Sequence, residues 1–74
     1  MTTAERIGKV IVELRKQKGV SQERMSLEVP IARRYMSDLE NGKSNPSLDV
    51  LERAANYFDM KLSELIAMAE SINE

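Results

Sequence analysis

The chain has 74 residues, enough for one domain whose small core depends on tight helix packing or on oligomerisation. It contains no cysteine and no histidine, which excludes a disulfide framework, thiolate chemistry and zinc sites built on those ligands, and fits a reducing cytosol. Apolar runs fall short of the ~20 residues of a membrane span, the start does not read as a signal peptide, and a net charge of −1 by itself argues against a partner as acidic as nucleic acid.

Helix formers dominate and β-branched runs are absent, so the expected fold is all-α. Thr2 followed by Glu5 is a capping box for a first helix. Ile7, Val10, Ile11 and Leu14 recur at the spacing of a core-facing stripe. Gly8 lowers the local propensity. Arg15, Lys16 and Lys18 suit the negative helix end, and Gly19 is its C-cap. Ser21 caps a second helix, with Glu23 in the first turn and Met25 and Val29 sharing one face. Pro30 stops that helix. A third helix, over about residues 32–40, turns Met36 and Leu39 inward, with Ile31 at its entry. Arg33, Arg34, Ser37 and Asp38 are left on the other side, and Asn41-Gly42 closes the helix. Lys43 to Pro46 form a loop. Ser47 caps a fourth helix with an inward stripe of Leu48, Leu51, Ala55 and Phe58. A break near Asp59–Lys61 precedes a fifth helix, about residues 62–72, carrying Leu62, Leu65, Ile66, Ala69 and Ile72. The whole of 1–74 is expected to form a single domain.

The charge is unevenly spread. Met1–Ser44 carry nine Lys/Arg against six Asp/Glu, which is +3, and Asn45–Glu74 carry two against six, which is −4. A basic front and an acidic rear suit a protein that meets phosphate with one face; chance scatter of surface charge is the plainer alternative.

The order Ser21-Gln22-Glu23-x-Met25, followed by Arg33-Arg34-Tyr35-Met36-Ser37-x-Leu39-Glu40-Asn41-Gly42-Lys43, resembles the Cro and phage-repressor-like (XRE-type) helix-turn-helix family. Arg33 to Ser37 are similar to the controller proteins of restriction–modification systems. The likeness continues through Asn45-Pro46-Ser47-Leu48 and Met60-Lys61-Leu62-Ser63-Glu64-Leu65. It implies a compact five-helix bundle of the lambda-repressor-like type, with helices 2 and 3 as the helix-turn-helix and the second of them lying in the DNA major groove.

The same resemblance assigns roles. Arg33, Arg34, Ser37 and Asp38 face base edges. An arginine fork matches O6 and N7 of guanine, and Asp38 either accepts from a cytosine amino group or orients Arg34 one turn away. Gln22, Tyr35, Asn41, Lys43 and Ser44 contact phosphate, Gln22 from an anion-friendly helix N-terminus. Ordinary solvation of Gln22 and Lys43, and edge packing of Tyr35, are the plainer alternatives. Arg15 and Glu40 form a partly buried ion pair that ties the third helix to the first. Two arrangements fit the fifth helix. Met68, Ala69 and Ile72 fold back on the fourth helix, or they join Leu65 in pairing with a second copy; the dimer is favoured, because two-fold pairing doubles the base pairs read.

Three departures from the family pattern stand out. Pro30 replaces a turn glycine whose positive φ proline cannot adopt. Ala32 stands where Ser or Thr normally caps. Leu27 lies on a usually polar face. The expected function is a sequence-specific DNA-binding transcriptional regulator, a homodimer in the cytoplasm on a two-fold operator in the nucleoid. The alternative is a protein-interaction module of the same fold, such as an antitoxin or a bridging factor. No cofactor, metal, membrane or small-molecule ligand is expected. Nor is an enzyme, since the chain lacks a glycine-rich phosphate loop and paired carboxylates in a predicted cleft.

Overall fold

In the computed structural model, which describes residues 1–72, the caps decide where the helices start. The elements are α1 (Thr3–Lys18), α2 (Gln22–Glu28), α3 (Arg33–Glu40), α4 (Leu48–Tyr57) and α5 (Leu62–Glu70). Thr2 and Glu5 exchange both bonds of a capping box. The hydroxyls of Ser21 and Ser47 accept the N–H of Arg24 and Val50. At α5 the Glu64 carboxylate accepts the Lys61 N–H. Ala32 gives α3 no side-chain cap.

Three helices end in the same way. The N–H of Val20 bonds to Arg15 C=O and that of Gly19 to Lys16 C=O. Lys43 and Gly42 repeat this pair of bonds on Asp38 and Leu39, and Met60 and Asp59 repeat it on Ala55 and Asn56. This is the Schellman closure, which needs a left-handed residue. Gly42 supplies it at φ 68°, and Asp59 supplies it at φ 56° despite its side chain.

The core gathers Ile7, Val10 and Ile11 of α1, Met25 of α2, Met36 and Leu39 of α3, Val50, Leu51, Ala54 and Ala55 of α4, and Leu65 and Ala69 of α5. α1 is central and packs on both α3 and α5. Two inward stripes differ from expectation. Leu48 is 74% exposed; it is the first residue of α4, and the buried face runs instead through Val50, Leu51, Ala54 and Ala55. Leu65 and Ala69 have no exposed surface at all, so they cannot form a dimer interface. They lie in the one core cluster of their own chain, on a helix that packs against α1 and α4. Met68 and Ile72 are half-buried and lean on the same core. The fifth helix stops at Glu70, so Ile72 follows it rather than belonging to it. Because Leu65 is core, Leu65→Ala is expected to cost at least ~2 kcal/mol of stability. A urea titration should give the same loss at every protein concentration.

Gly8 has a tertiary reason. A Cβ placed there would lie 2.5 Å from the Glu40 carbonyl oxygen and 2.7 Å from that of Leu39. The last turn of α3 therefore rests directly on the α1 backbone. Intrinsic propensity alone predicts that Gly8→Ala stabilises by ~1 kcal/mol. The contact predicts the opposite sign, a net loss of about 2 kcal/mol after overpacking, readable as a lower thermal midpoint.

Behind α2, the Tyr57 hydroxyl donates to Glu28 at 2.5 Å, and Arg24 Nε donates to the same carboxylate at 3.0 Å. These bonds, that of Tyr57 first, hold the Glu28 carboxyl below its ordinary 4.5. The Thr2 backbone N–H does the same for Glu5. A carboxyl whose pKa is lowered by folding contributes stability above its unfolded pKa and loses it as pH falls. The unfolding midpoint should hold from about pH 7 to about pH 5 and drop below about pH 4.5, less steeply in Glu28→Gln. Burial first, and then the bond to Glu28, push the Tyr57 hydroxyl above its ordinary 10.0. Its contribution is therefore complete below that pH and is lost only in stronger base.

Candidate nucleic-acid interface

The α2–α3 turn manages without a left-handed residue. Among the described residues the only non-glycine with positive φ is Asp59. Val29 stays in the right-handed helical region, the Val29–Pro30 peptide is cis, and the Ile31 N–H returns to the Ser26 carbonyl at 2.7 Å. Arg53 of α4 donates to the Pro30 carbonyl at 2.9 Å, so the turn is fastened from behind.

One polar cluster fixes α3 against α1 and α2. Arg15 sends Nε to Glu40 Oε2 at 2.7 Å and a terminal nitrogen to Oε1 at 3.1 Å, and its other terminal nitrogen donates to the Val20 carbonyl. The side chains of Arg15 and Glu40 are 16% and 6% exposed. The bond to Glu40 raises the Arg15 pKa above its ordinary value, so the guanidinium stays charged. Gln22 Nε2 also donates to Glu40 Oε1, at 3.0 Å. Gln22 Oε1 accepts from Arg33 Nε at 3.0 Å, and Glu23 lies 4.0 Å from the same guanidinium.

The candidate contact residues are distributed as follows. Arg33 and Arg34 are exposed, while Ser37 and Asp38 are half-buried. No ion pair joins Arg34 to Asp38 among the described residues, so Asp38 does not orient that arginine. Tyr35 is half-buried; its hydroxyl oxygen accepts the Ser47 N–H at 3.3 Å, bracing α3 against the start of α4. Asn41 donates its amide to the Ser37 carbonyl at 2.9 Å, capping its own helix, and at 3.5 Å to the Ser37 hydroxyl oxygen. Lys43 is exposed. One phosphate assignment is narrowed and one needs revision. The Gln22 amide gives one hydrogen to Glu40 and its oxygen to Arg33, so the second amide hydrogen and the backbone N–H, first in α2 and without a helical acceptor, are what it has left for an anion. The Ser44 hydroxyl oxygen is enclosed and out of reach of a phosphate.

Together these residues make an exposed cationic edge on a helix whose inner face and both ends are secured. The sequence pattern of the helix-turn-helix family matches residues 11–65. The chain belongs to the helix-turn-helix family. Control protein C.MunI of a Mycoplasma species is 39% identical over 66 residues, which span 88% of this chain and 89% of that one. The ImmF control region 10 kDa protein of Bacillus phage phi105 is 34% identical over 65 residues, 88% of this chain and 72% of its own. The restriction-modification controller protein C.AhdI from Aeromonas hydrophila superposes with a TM-score of 0.78 at 32% identity, over 84% of this chain and 94% of that one. This helix-turn-helix protein is therefore similar both to phage control proteins and to restriction–modification controllers. No helix among its described residues is long and apolar enough to cross a membrane.

Proposed function

We propose that this helix-turn-helix protein is a sequence-specific DNA-binding transcriptional regulator that seats α3 in the major groove. The observation that carries this is the placement of Arg33 and Arg34. Both are exposed at the start of a helix whose inner face, Met36 and Leu39, is sealed and whose last residue is pinned to α1 by Arg15. A helix so held presents its polar side at a fixed tilt, which base-edge contact requires. Lys43 stands at the far end of α3 for a backbone phosphate. Its side chain and those arginines set a basic front against an acidic rear.

The regulator acts as a homodimer on a two-fold site, since one such helix reads few base pairs. The surfaces of α5 left for pairing are the half-buried Ile66 and Met68, with Ile72 after it. The similarity to control protein C.MunI and to the controller protein C.AhdI supports a control role. The test is a titration of the intact protein against genomic fragments at several salt concentrations. A preferred fragment should bind about 10³-fold or more tighter than bulk DNA, and log affinity should fall linearly with log salt. Equal affinity for all fragments rejects the proposal.

A further inference from the structure

We infer that Gln22 is a positioning residue that carries the Arg15–Glu40 ion pair through to the base preference of Arg33. This rests on the reading that Arg33 enters the major groove. Four side chains from three helices form one line: Arg15 to Glu40, Glu40 to Gln22, and Gln22 to Arg33. The polarity of that line is fixed by chemistry. An ionised carboxylate only accepts and a guanidinium only donates. The Gln22 amide must therefore turn its NH₂ to Glu40 and its oxygen to Arg33. With the amide in that sense, its oxygen takes the Nε–H of Arg33 and makes no bond to the two terminal nitrogens, the fork that meets a base edge; the exposed Glu23 carboxylate stands 4.0 Å from one of them and gives it up when a base edge arrives. Glu40 is itself held by two bonds from Arg15, so the amide cannot flip without setting its oxygen against the carboxylate and its NH₂ against the Arg33 Nε–H. The ion pair thus does more than join α1 to α3. It sets which end of Gln22 is offered, and so which rotamer of Arg33 is prepared before DNA arrives.

An arginine held in place loses less freedom on binding. The saving is realised only where the fork finds its base, so it adds to discrimination and not to general affinity. A phosphate contact by Gln22 would behave in the opposite way, strengthening all sequences alike.

The experiment compares the intact protein with Gln22→Ala and Gln22→Met, using the preferred duplex and a set changed at single base pairs. Discrimination at the one position read by Arg33 should fall roughly three- to tenfold in both variants, with bulk-DNA affinity unchanged. In an Arg33→Ala background the same changes should have no further effect. A uniform loss across all sequences, or no loss at all, overturns the inference. A second readout needs no DNA. In the free protein the Arg33 Nε–H should exchange with water more slowly than that of Arg34 and lose this protection in Gln22→Met, while the Arg15 Nε–H keeps its own. Equal exchange for Arg33 and Arg34 in the unaltered protein overturns the relay itself. Protection without any effect of Arg33→Ala on base preference leaves the hydrogen-bonded line standing, and overturns both the groove reading and the role in selectivity that depends on it.

Discussion

Replacing Glu40 by alanine is expected to remove about 3–5 kcal/mol of stability, a large share of what a domain this small has to lose. The carboxylate accepts three hydrogen bonds, two from Arg15 and one from Gln22. Without it the Arg15 guanidinium stays largely enclosed with only the Val20 carbonyl as partner. An unpaired buried cation is what makes the loss large, more than the missing attraction. Exposed pairs set the contrast. Arg24–Glu28 lies on the surface of α2, and Arg24→Ala should cost no more than about 0.5 kcal/mol. The double replacement Arg15→Met plus Glu40→Leu removes both charges at once and should recover most of the stability. It should not recover the orientation of Gln22. Chemical denaturation followed by far-ultraviolet circular dichroism measures all three. A Glu40→Ala variant within ~1 kcal/mol of the parent would show that the pair is solvated and merely decorative.

The second large effect falls on binding. Arg33→Ala plus Arg34→Ala should weaken the preferred duplex by about 2–6 kcal/mol, from ~1–3 kcal/mol for each base contact. Neither arginine is needed for folding. Both are exposed, and the bond from Arg33 to Gln22 is on the surface, so stability should stay within about 0.5 kcal/mol. The signature is loss of discrimination with most of the salt dependence retained. Lys43→Ala should do the reverse, weakening all sequences together and lowering the salt slope by about 1. The two variants separate base recognition from backbone attraction within one set of titrations.

What was legible in the sequence was mostly local. Thr2 with Glu5, Ser21, Ser47, Gly19 and Gly42 mark their helix ends because a cap involves only a few neighbouring residues. The ordered series from Ser21 to Lys43 also carried the family likeness. Long-range contacts were harder to read. Gly8 reads as a weak helix former until the carbonyls of Leu39 and Glu40 are seen lying on it. Leu48 fits the spacing of an inward stripe, since it shares a face with Leu51 and Ala55, yet as the first residue of α4 it stands clear of the core that Val50 and Leu51 enter. The stripe on α5 says that a face is buried but not by what. Leu65 and Ala69 turned out to be enclosed in the core of the same chain. Gln22 was the least legible of all. Its partners lie 11 and 18 residues away, and nothing in the local pattern says that a carboxylate and a guanidinium meet at opposite ends of one amide. Pro30 was legible as a departure, but its solution was not. The bond from Ile31 to Ser26 and the hold of Arg53 on the Pro30 carbonyl depend on the folded geometry.

The most direct measurement is nuclear magnetic resonance mapping of the intact protein with a duplex obtained by selection from a random pool. If α3 lies in the major groove, the largest changes fall on Arg33, Arg34, Ser37 and Asp38, with smaller ones at the Gln22 and Lys43 backbone, and the exposed Asp49 and Glu52 of α4 stay unmoved. Changes centred on α4, or a selected pool that shows no common sequence, would contradict it.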